Sequence, residues 1–258
     1  MAEEMAAARV GKGGWQRALV HRLGKRFLRA VTDFQGRHSL IPATPVLANE
    51  TFDWLPRLAA GFPQVRAEFD QVWQHPEDIP AFHQISPDQA RISQGTNWKT
   101  YALYIFGQPV ADNCRACPET AALLASLPGL LNAWFSILAP GYHIPPHKGP
   151  TRALVRCHMG LRVPREWQKC WIRVDQEILN WREGELMLFD DTYEHEVLNG
   201  TDEYRAVLFI DIDRPMDGVG TLFNQFVLKL MQATHYVKDP LKNLAEWNRA
   251  VAARRRGP

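Results

Sequence analysis

His147-Lys148-Gly149-Pro150-Thr151-Arg152 and Phe189-Asp190-Asp191-Thr192-Tyr193-Glu194-His195-Glu196-Val197 each lead towards an apolar run. The first is followed by Leu154-Val155-Arg156-Cys157-His158-Met159-Gly160-Leu161, the second by Tyr204-Arg205-Ala206-Val207-Leu208-Phe209-Ile210-Asp211. Working outward, 97–106, 132–138, 154–163, 170–174, 178–181, 186–189, 195–198 and 204–212 are short runs of strand-like composition, separated by Gly, Pro, Asn and Asp. Short strands punctuated this way predict an all-β sandwich or barrel.

Side chains alternate along a strand, so Val155, Cys157, Met159, Leu161 and Val163 share one apolar face. Arg156 and His158 share the other, which either meets solvent or lines a cleft. The run 204–212 is almost continuously apolar, as expected of a strand buried on both faces. Arg205 stands at its start. A guanidinium entering a buried sheet needs an anion, because an unpaired buried charge costs several kcal/mol. No acidic neighbour is assured by the sequence, so a ligand carboxylate is a candidate for that anion.

These segments resemble the aspartyl/asparaginyl β-hydroxylases and the bacterial lipid A hydroxylases that share their domain. The matching residues are Phe135-Ser136-Ile137 with Pro140-Gly141, the His147-x-Gly149-Pro150-Thr151 turn, and Arg156-x-His158-x-Gly160-Leu161 with Val163-Pro164. Trp181-x-Glu183-Gly184, Phe189-Asp190-Asp191-x-x-x-His195-Glu196 and Arg205 ahead of an apolar strand complete the ordered set. The resemblance implies a mainly β chain with flanking helices around a double-stranded β-helix core, a jelly roll of the cupin-like kind. It also implies an iron(II)- and 2-oxoglutarate-dependent dioxygenase that hydroxylates an unactivated C–H bond, with O₂ consumed and succinate and CO₂ formed.

By the same resemblance His147 and His195 are the metal ligands and, with Arg156, the catalytic set. Arg205 and Ser136 bind the distal carboxylate of 2-oxoglutarate, Arg156 and His158 hold its chelating end, and Trp98 borders the site or is a core aromatic. Many dioxygenases of this class place a carboxylate two residues after the first histidine; here that position is Gly149, which cannot ligate. The resembled hydroxylases likewise use two histidines with water beside them, whereas a halogenase would hold halide there. Asp190 and Asp191 either position His195 or form the turn leading to it. His143 falls outside the pattern and reads as a loop residue. The substrate is a lipid acyl chain in the favoured reading; an aspartyl or asparaginyl side chain, or a free amino acid, is the alternative. A metal-binding β-helix module without turnover is the non-enzymatic one.

The 258 residues suit one generous domain with appendages. A basic helical extension is expected over 1–40, the β-helix domain over 41–216, and a C-terminal helical extension over 217–258 packed on the same domain. The formal charge of +2 is too small to argue for nucleic acid, although both ends of the chain are basic. No apolar run approaches the roughly 18 residues of a membrane span. Met1-Ala2-Glu3-Glu4-Met5 is acidic and no signal-like apolar stretch follows. A cytoplasmic protein is therefore expected, peripheral at the inner face of the membrane if its basic ends bind there, with Cys114, Cys117, Cys157 and Cys170 as reduced thiols. The Cys114–Cys117 pair lacks the second pair that a zinc site needs. Asn199-Gly200-Thr201 reads as a turn rather than a used sequon.

Trp15, Leu19, Leu23, Phe27 and Val31 recur every four residues among Arg17, Arg22, Lys25, Arg26 and Arg29, which predicts a basic amphipathic helix. It either packs on the domain or lies on an anionic membrane. Pro42 to Pro56 reads as irregular, and Pro63 to Gln74 and Pro118 to Leu124 as helices. Leu222, Phe223, Phe226, Val227 and Leu230 form an apolar helix face, and Asp239-Pro240 is expected to open a second helix that ends in Arg254-Arg255-Arg256. These helices buttress the sheet, pair two subunits or face a membrane.

Overall fold

The structure, a computed structural model, describes residues 26–256. Helix α1 over 26–37 is followed by β1 (Val46–Leu47), α2 (Leu55–Ala60), α3 (Phe62–Val72) and α4 (Phe82–Ile85). Next come β2 (Trp98–Ile105), β3 (Gln108–Pro109), α5 (Ala111–Ala116), α6 (Pro118–Ala125), β4 (Leu130–Leu138), β5 (His143–His147) and β6 (Leu154–Arg162). The chain then makes β7 (Cys170–Val174), β8 (Glu177–Asn180), β9 (Leu186–Phe189), β10 (His195–Asn199), β11 (Arg205–Asp213), α7 (Gly218–Ala233) and α8 (His235–Arg256). The strands form a seven-stranded sheet, in the order β1-β9-β6-β11-β4-β2-β3, and a four-stranded one, β5-β10-β7-β8. Every pairing is antiparallel. Two antiparallel sheets enclosing a core are the jelly-roll architecture.

The long apolar run becomes β11, in the middle of the large sheet and buried on both faces. Ala206, Leu208, Ile210 and Ile212 face outward into a core built with Leu55, Leu58, Val65, Phe69 and Leu124 of α2, α3 and α6. Val207 and Phe209 face inward, where Ile172, Val174, Trp181 and Val197 close the core between the sheets. Val155, Cys157, Met159 and Leu161 of β6 join the helix-covered core, so Arg156 and His158 point between the sheets. The outer helices brace one another through Glu68. Its carboxylate accepts hydrogen bonds from the backbone N–H groups of Glu119 and Thr120 at the start of α6, both at 2.8 Å, which satisfies donors that a helix start leaves free.

Two expectations about local structure need correction. His143 and His147 lie on a strand, β5, rather than in loops. Pro145 and Pro146 argue against a strand, but β5 is the edge of its sheet and pairs only with β10, so their missing N–H groups cost little. The register also slips between β5 and β10, and this irregularity sets His147 directly opposite His195. At the C-terminus, α8 begins at His235, so Pro240 lies inside the helix instead of opening it. Pro42 to Pro56 carries the two-residue strand β1, paired with β9.

Of the apolar stripe expected near the N-terminus, Val31 is buried and Phe27 exposed, while Trp15, Leu19 and Leu23 lie outside the described residues. Asn199 is wholly buried and its side chain donates to the carbonyls of Leu138, Ala139 and Glu203, which rules out a glycan there. The four cysteines are free thiols. Burial pushes Cys117 up to about 12 and raises Cys114, so neither is an activated thiolate.

The loop between β9 and β10 is pinned from beneath. Asp190, fully buried, accepts from the backbone N–H and hydroxyl of Thr192 at 3.0 and 2.6 Å, which makes the turn that delivers His195. Its other oxygen meets Arg214 at 2.6 Å and Arg152 at 3.0 Å. Removing one partner of a buried ion pair leaves the other charge uncompensated, a cost of about 3–5 kcal/mol. Asp190→Ala is accordingly expected to lower stability by that order in urea denaturation; a change under about 1 kcal/mol would show that the turn holds without it.

Candidate active site

His147 and His195 face each other across β5 and β10 with ring centroids 4.1 Å apart. His147 Nδ1 lies 2.8 Å from the carbonyl oxygen of Pro145, and His195 Nδ1 lies 3.0 Å from that of Tyr193. A carbonyl can only accept, so each ring carries its proton on Nδ1 and leaves Nε2 as a bare lone pair. Burial pushes His147 down to about 4, with the charge of Arg156 adding to it. His195 falls to about 3 through burial, the neighbouring His147 and Arg156. Two adjacent neutral imidazoles with free Nε2 atoms are the donor set that iron or a similar divalent metal takes.

Gly149 is held to the opposite loop by a 2.7 Å hydrogen bond from its N–H to the carbonyl of Asp191. A Cβ at position 149 would overlap the Asp191 carboxylate. The place of a side chain two residues after the first histidine is thus filled by a carboxylate from another loop. Asp191 Oδ2 lies 3.1 Å from Arg156, while its Oδ1 is buried with no hydrogen-bond partner among the described residues. Burial raises this carboxyl to about 6, against the pull of Arg156.

Arg156 also forms a two-pronged pair with Asp211, at 2.9 and 3.2 Å, directly across the β6–β11 register. Its guanidinium carbon lies 4.3 Å from the centre of the Phe209 ring. Arg156 therefore has protein carboxylates of its own as well as its place beside the histidines. His158, next along the same face of β6, accepts a long 3.4 Å hydrogen bond from the Trp181 indole on Nδ1. Its proton is then on Nε2, a buried donor with no partner among the described residues. Burial, with Arg205 and Arg156 nearby, holds the ring well below its usual range, hence neutral.

Arg205 is 2% exposed and forms no ion pair with any carboxylate among the described residues. Its guanidinium touches the Ser136 carbonyl at 3.5 Å, the Cys170 thiol and the face of Trp181, 4.4 Å from the ring centre. Nε has no partner. Ser136 is also buried, and its hydroxyl accepts from the Trp98 indole at 3.0 Å. The unmet charge of Arg205, the unmet donor of His158 and the two bare histidine nitrogens all belong to the space between the sheets. A dicarboxylate held at one end by Arg205 and at the other by a metal satisfies each of them.

A cavity of about 350 Å³ opens beside this centre. His147, Gly149, Arg156 and Asp191 line its polar end, and Phe82, Ile85, Ala102, Ile105, Leu228 and Met231 its apolar remainder. Trp134 Nε1 and Thr100 Oγ1, both on the cavity wall, are buried without partners among the described residues. Only His143 points elsewhere, pairing with Glu196 at 2.8 Å on the exposed side.

The family model described as aspartyl/asparaginyl beta-hydroxylase matches residues 59–215, which contain Ser136, His147, Arg156, His158, Asp191, His195 and Arg205. The chain belongs to the aspartyl/asparaginyl β-hydroxylase family. Among its hydroxylase relatives, the ornithine lipid ester-linked acyl 2-hydroxylase of Rhizobium tropici is 40% identical over 209 residues, spanning 81% of this chain and 74% of that protein. Human aspartyl/asparaginyl beta-hydroxylase is 32% identical over 134 residues, covering 50% of this chain but only 17% of that protein. A cupin domain of Schizosaccharomyces pombe Cnp3 aligns with 50% of this chain and 66% of its own length, at 11% identity and a TM-score of 0.33.

Within this family member, sequence reasoning assembled His147, His195, Ser136, Arg156, His158 and Arg205, and the structure brings them to one interior. It passed over Asp211, Thr100 and Trp134, and quoted Trp181 in a matching motif without giving it a role. Alternation along β11 puts Asp211 on the same face as Arg205, so one signal was present. Its pairing with Arg156 needed the strand register.

The imidazole shifts have a direct check. Burial disfavours the charged ring, so His147 and His195 should stay neutral as pH falls from 8 to about 5 and protonate only below that. In NMR titration of metal-free protein, their ring C–H resonances are expected to hold constant over that range. A midpoint near 6.5 for either would contradict the buried, Nδ1-tethered geometry.

Proposed function

We propose that this chain is an iron(II)- and 2-oxoglutarate-dependent hydroxylase acting on the acyl chain of a membrane lipid. The observation that carries the cofactor reading is Arg205, a buried guanidinium with no protein carboxylate among the described residues, on the large sheet that packs against the small sheet bearing two histidines with bare Nε2 atoms. His147 and His195 would hold the iron. Arg205 and Ser136 would take the distal carboxylate of 2-oxoglutarate, with Trp98 fixing the Ser136 hydroxyl. His158 offers its Nε2–H to the chelating end, beside the positive charge of Arg156. When bound, iron and 2-oxoglutarate supply the oxidising power, with O₂ and the cosubstrate giving succinate and CO₂ as one oxygen atom enters a C–H bond.

The protein's own part is to orient and to exclude water. The Arg156 pairs with Asp211 and Asp191 lock the polar end of the cavity, and the apolar remainder suits a hydrocarbon chain. Trp134 Nε1 and Thr100 Oγ1 are hydrogen-bonding atoms available to an ester or headgroup near the reacting carbon. The 40% identical relative, named for hydroxylation of an ester-linked acyl chain, supports the same substrate class. The human relative favours an aspartyl or asparaginyl side chain instead, and Arg91 and Lys148 on the cavity wall could meet its carboxylate, but that relative aligns with only half of this chain. The four cysteines are free thiols, as is common in a cytoplasmic protein, and we read this enzyme as cytoplasmic.

Succinate release and a mass gain of one oxygen on an acyl lipid, against an Asp-containing peptide as control, test the reading. Iron-dependent turnover should be abolished in His147→Ala and His195→Ala while circular dichroism stays native; near-native turnover in either would overturn the metal site. Arg205→Met removes a buried charge pair with the cosubstrate, costing about 2–5 kcal/mol of binding. The expected rise in 2-oxoglutarate Kd is roughly 30-fold to 5000-fold. An unchanged Kd would refute the clamp.

A further inference from the structure

Helix α7 has an apolar surface on two sides. Leu228 is buried against Leu131 and Ala153, and with Met231 it lines the cavity. Val219, Leu222, Phe226 and Leu230 instead point outward, between 54% and 72% exposed. Their spacing of three and four residues makes one stripe along the helix. Lys229 is the only charged residue in α7. Helix α1 lies alongside, through a Phe34–Phe223 ring contact at 4.5 Å and a hydrogen bond from Gln35 to Asn224 at 2.8 Å. It adds Phe27, also exposed, and the exposed cations Arg26, Arg29 and Arg37. The carboxylates on this pair of helices are Asp33 and, at the start of α7, Asp217, which His38 holds at 2.8 Å.

We propose that the outward face of α7, with the adjoining surface of α1, docks on an anionic bilayer, and that the cavity draws its acyl chain from that side. An apolar stripe bordered by cations is the surface of an interfacial helix, whose apolar residues enter the acyl boundary while the cations meet lipid phosphates. A second copy of the chain fits less well. A two-fold contact through this face would bring two surfaces of net positive charge together, with Arg26, Arg29, Arg37 and Lys229 against Asp33 and Asp217 on each copy. The connection to chemistry is direct, because one helix bears the stripe on its outer side and two cavity-lining residues on its inner side. A chain leaving the bilayer beside α7 has on the far side of the same helix a cavity that Leu228 and Met231 line. The proposal rests on the lipid-acyl reading of the same cavity.

The test compares the full chain with a Leu222→Glu/Phe226→Glu variant. Both residues are exposed and outside the cavity, so the fold is unaffected. Vesicles of phosphatidylcholine, with and without phosphatidylglycerol, are co-sedimented with each protein at low and high salt. The full chain is expected to sediment with the anionic vesicles in a salt-sensitive manner. The variant should bind at least about 10-fold more weakly, since two large apolar side chains no longer leave water. Both proteins should hydroxylate detergent-dispersed acyl lipid equally, and only the full chain should act efficiently on lipid in vesicles. Equal vesicle binding by the two proteins, or none by the full chain, overturns the docking face. So does a dimer, seen by sedimentation equilibrium, that the variant dissociates without any vesicle binding. Absence of turnover on dispersed lipid by either protein would defeat the substrate reading, whereas sedimentation judges the docking face on its own.

Discussion

Two neighbouring aspartates in one loop hold the histidine edge of the small sheet against the large sheet. Asp190 reaches down to Arg214 after β11 and sideways to Arg152 before β6. Asp191 reaches Arg156 on β6 and fits over Gly149, two residues from His147. The segments that carry His147 and His195 are thereby tied to the same rigid strands by charge pairs shielded from water. Edge strands and loops would otherwise be the mobile part of such a fold. Placing buried guanidinium–carboxylate contacts beneath them supplies the rigidity that a two-ligand metal site needs.

The charges around this seam balance in a telling way. Arg152, Arg156 and Arg214 are matched by Asp190, Asp191 and Asp211. Arg205 stands apart, on the inner face of the central strand, with a thiol, a carbonyl and an aromatic face as its neighbours. Three guanidiniums at this seam are thus matched by protein carboxylates, whereas the fully buried Arg205 meets none among the described residues, and a buried charge of that kind calls for an anion. His158 repeats the pattern on a smaller scale, with one nitrogen occupied by Trp181 and the other unmet.

Substrate choice is a separate matter from this centre. The cavity beside the two histidines has a wall of its own. Here that wall comes from the α4 region, β2, α7 and α8, whose side chains are predominantly apolar. The C-terminal helices are therefore more than buttresses: they close the cavity on one side and expose hydrocarbon on the other.

Much of this was legible in the chain itself. Alternation along 154–163 separated an apolar face from the one that carries Arg156 and His158, and the almost continuously apolar run of 204–212 announced a strand buried on both sides. The ordered spacing of His147, Arg156, His158, His195 and Arg205 marked the site through its resemblance to the family's motifs, while strand period by itself paired only Arg156 with His158. The edge strand with two prolines was not legible, since local propensity opposes it and only its position at the sheet margin permits it. Nor was the role of Asp191. Spacing along the chain shows a glycine where a carboxylate is common, and only the folded loops bring a carboxylate from 42 positions away into that space. Sequence alone determined which residues face inward, through backbone periodicity. Tertiary structure decided which of them meet, because register and loop packing bring together groups that no local period relates.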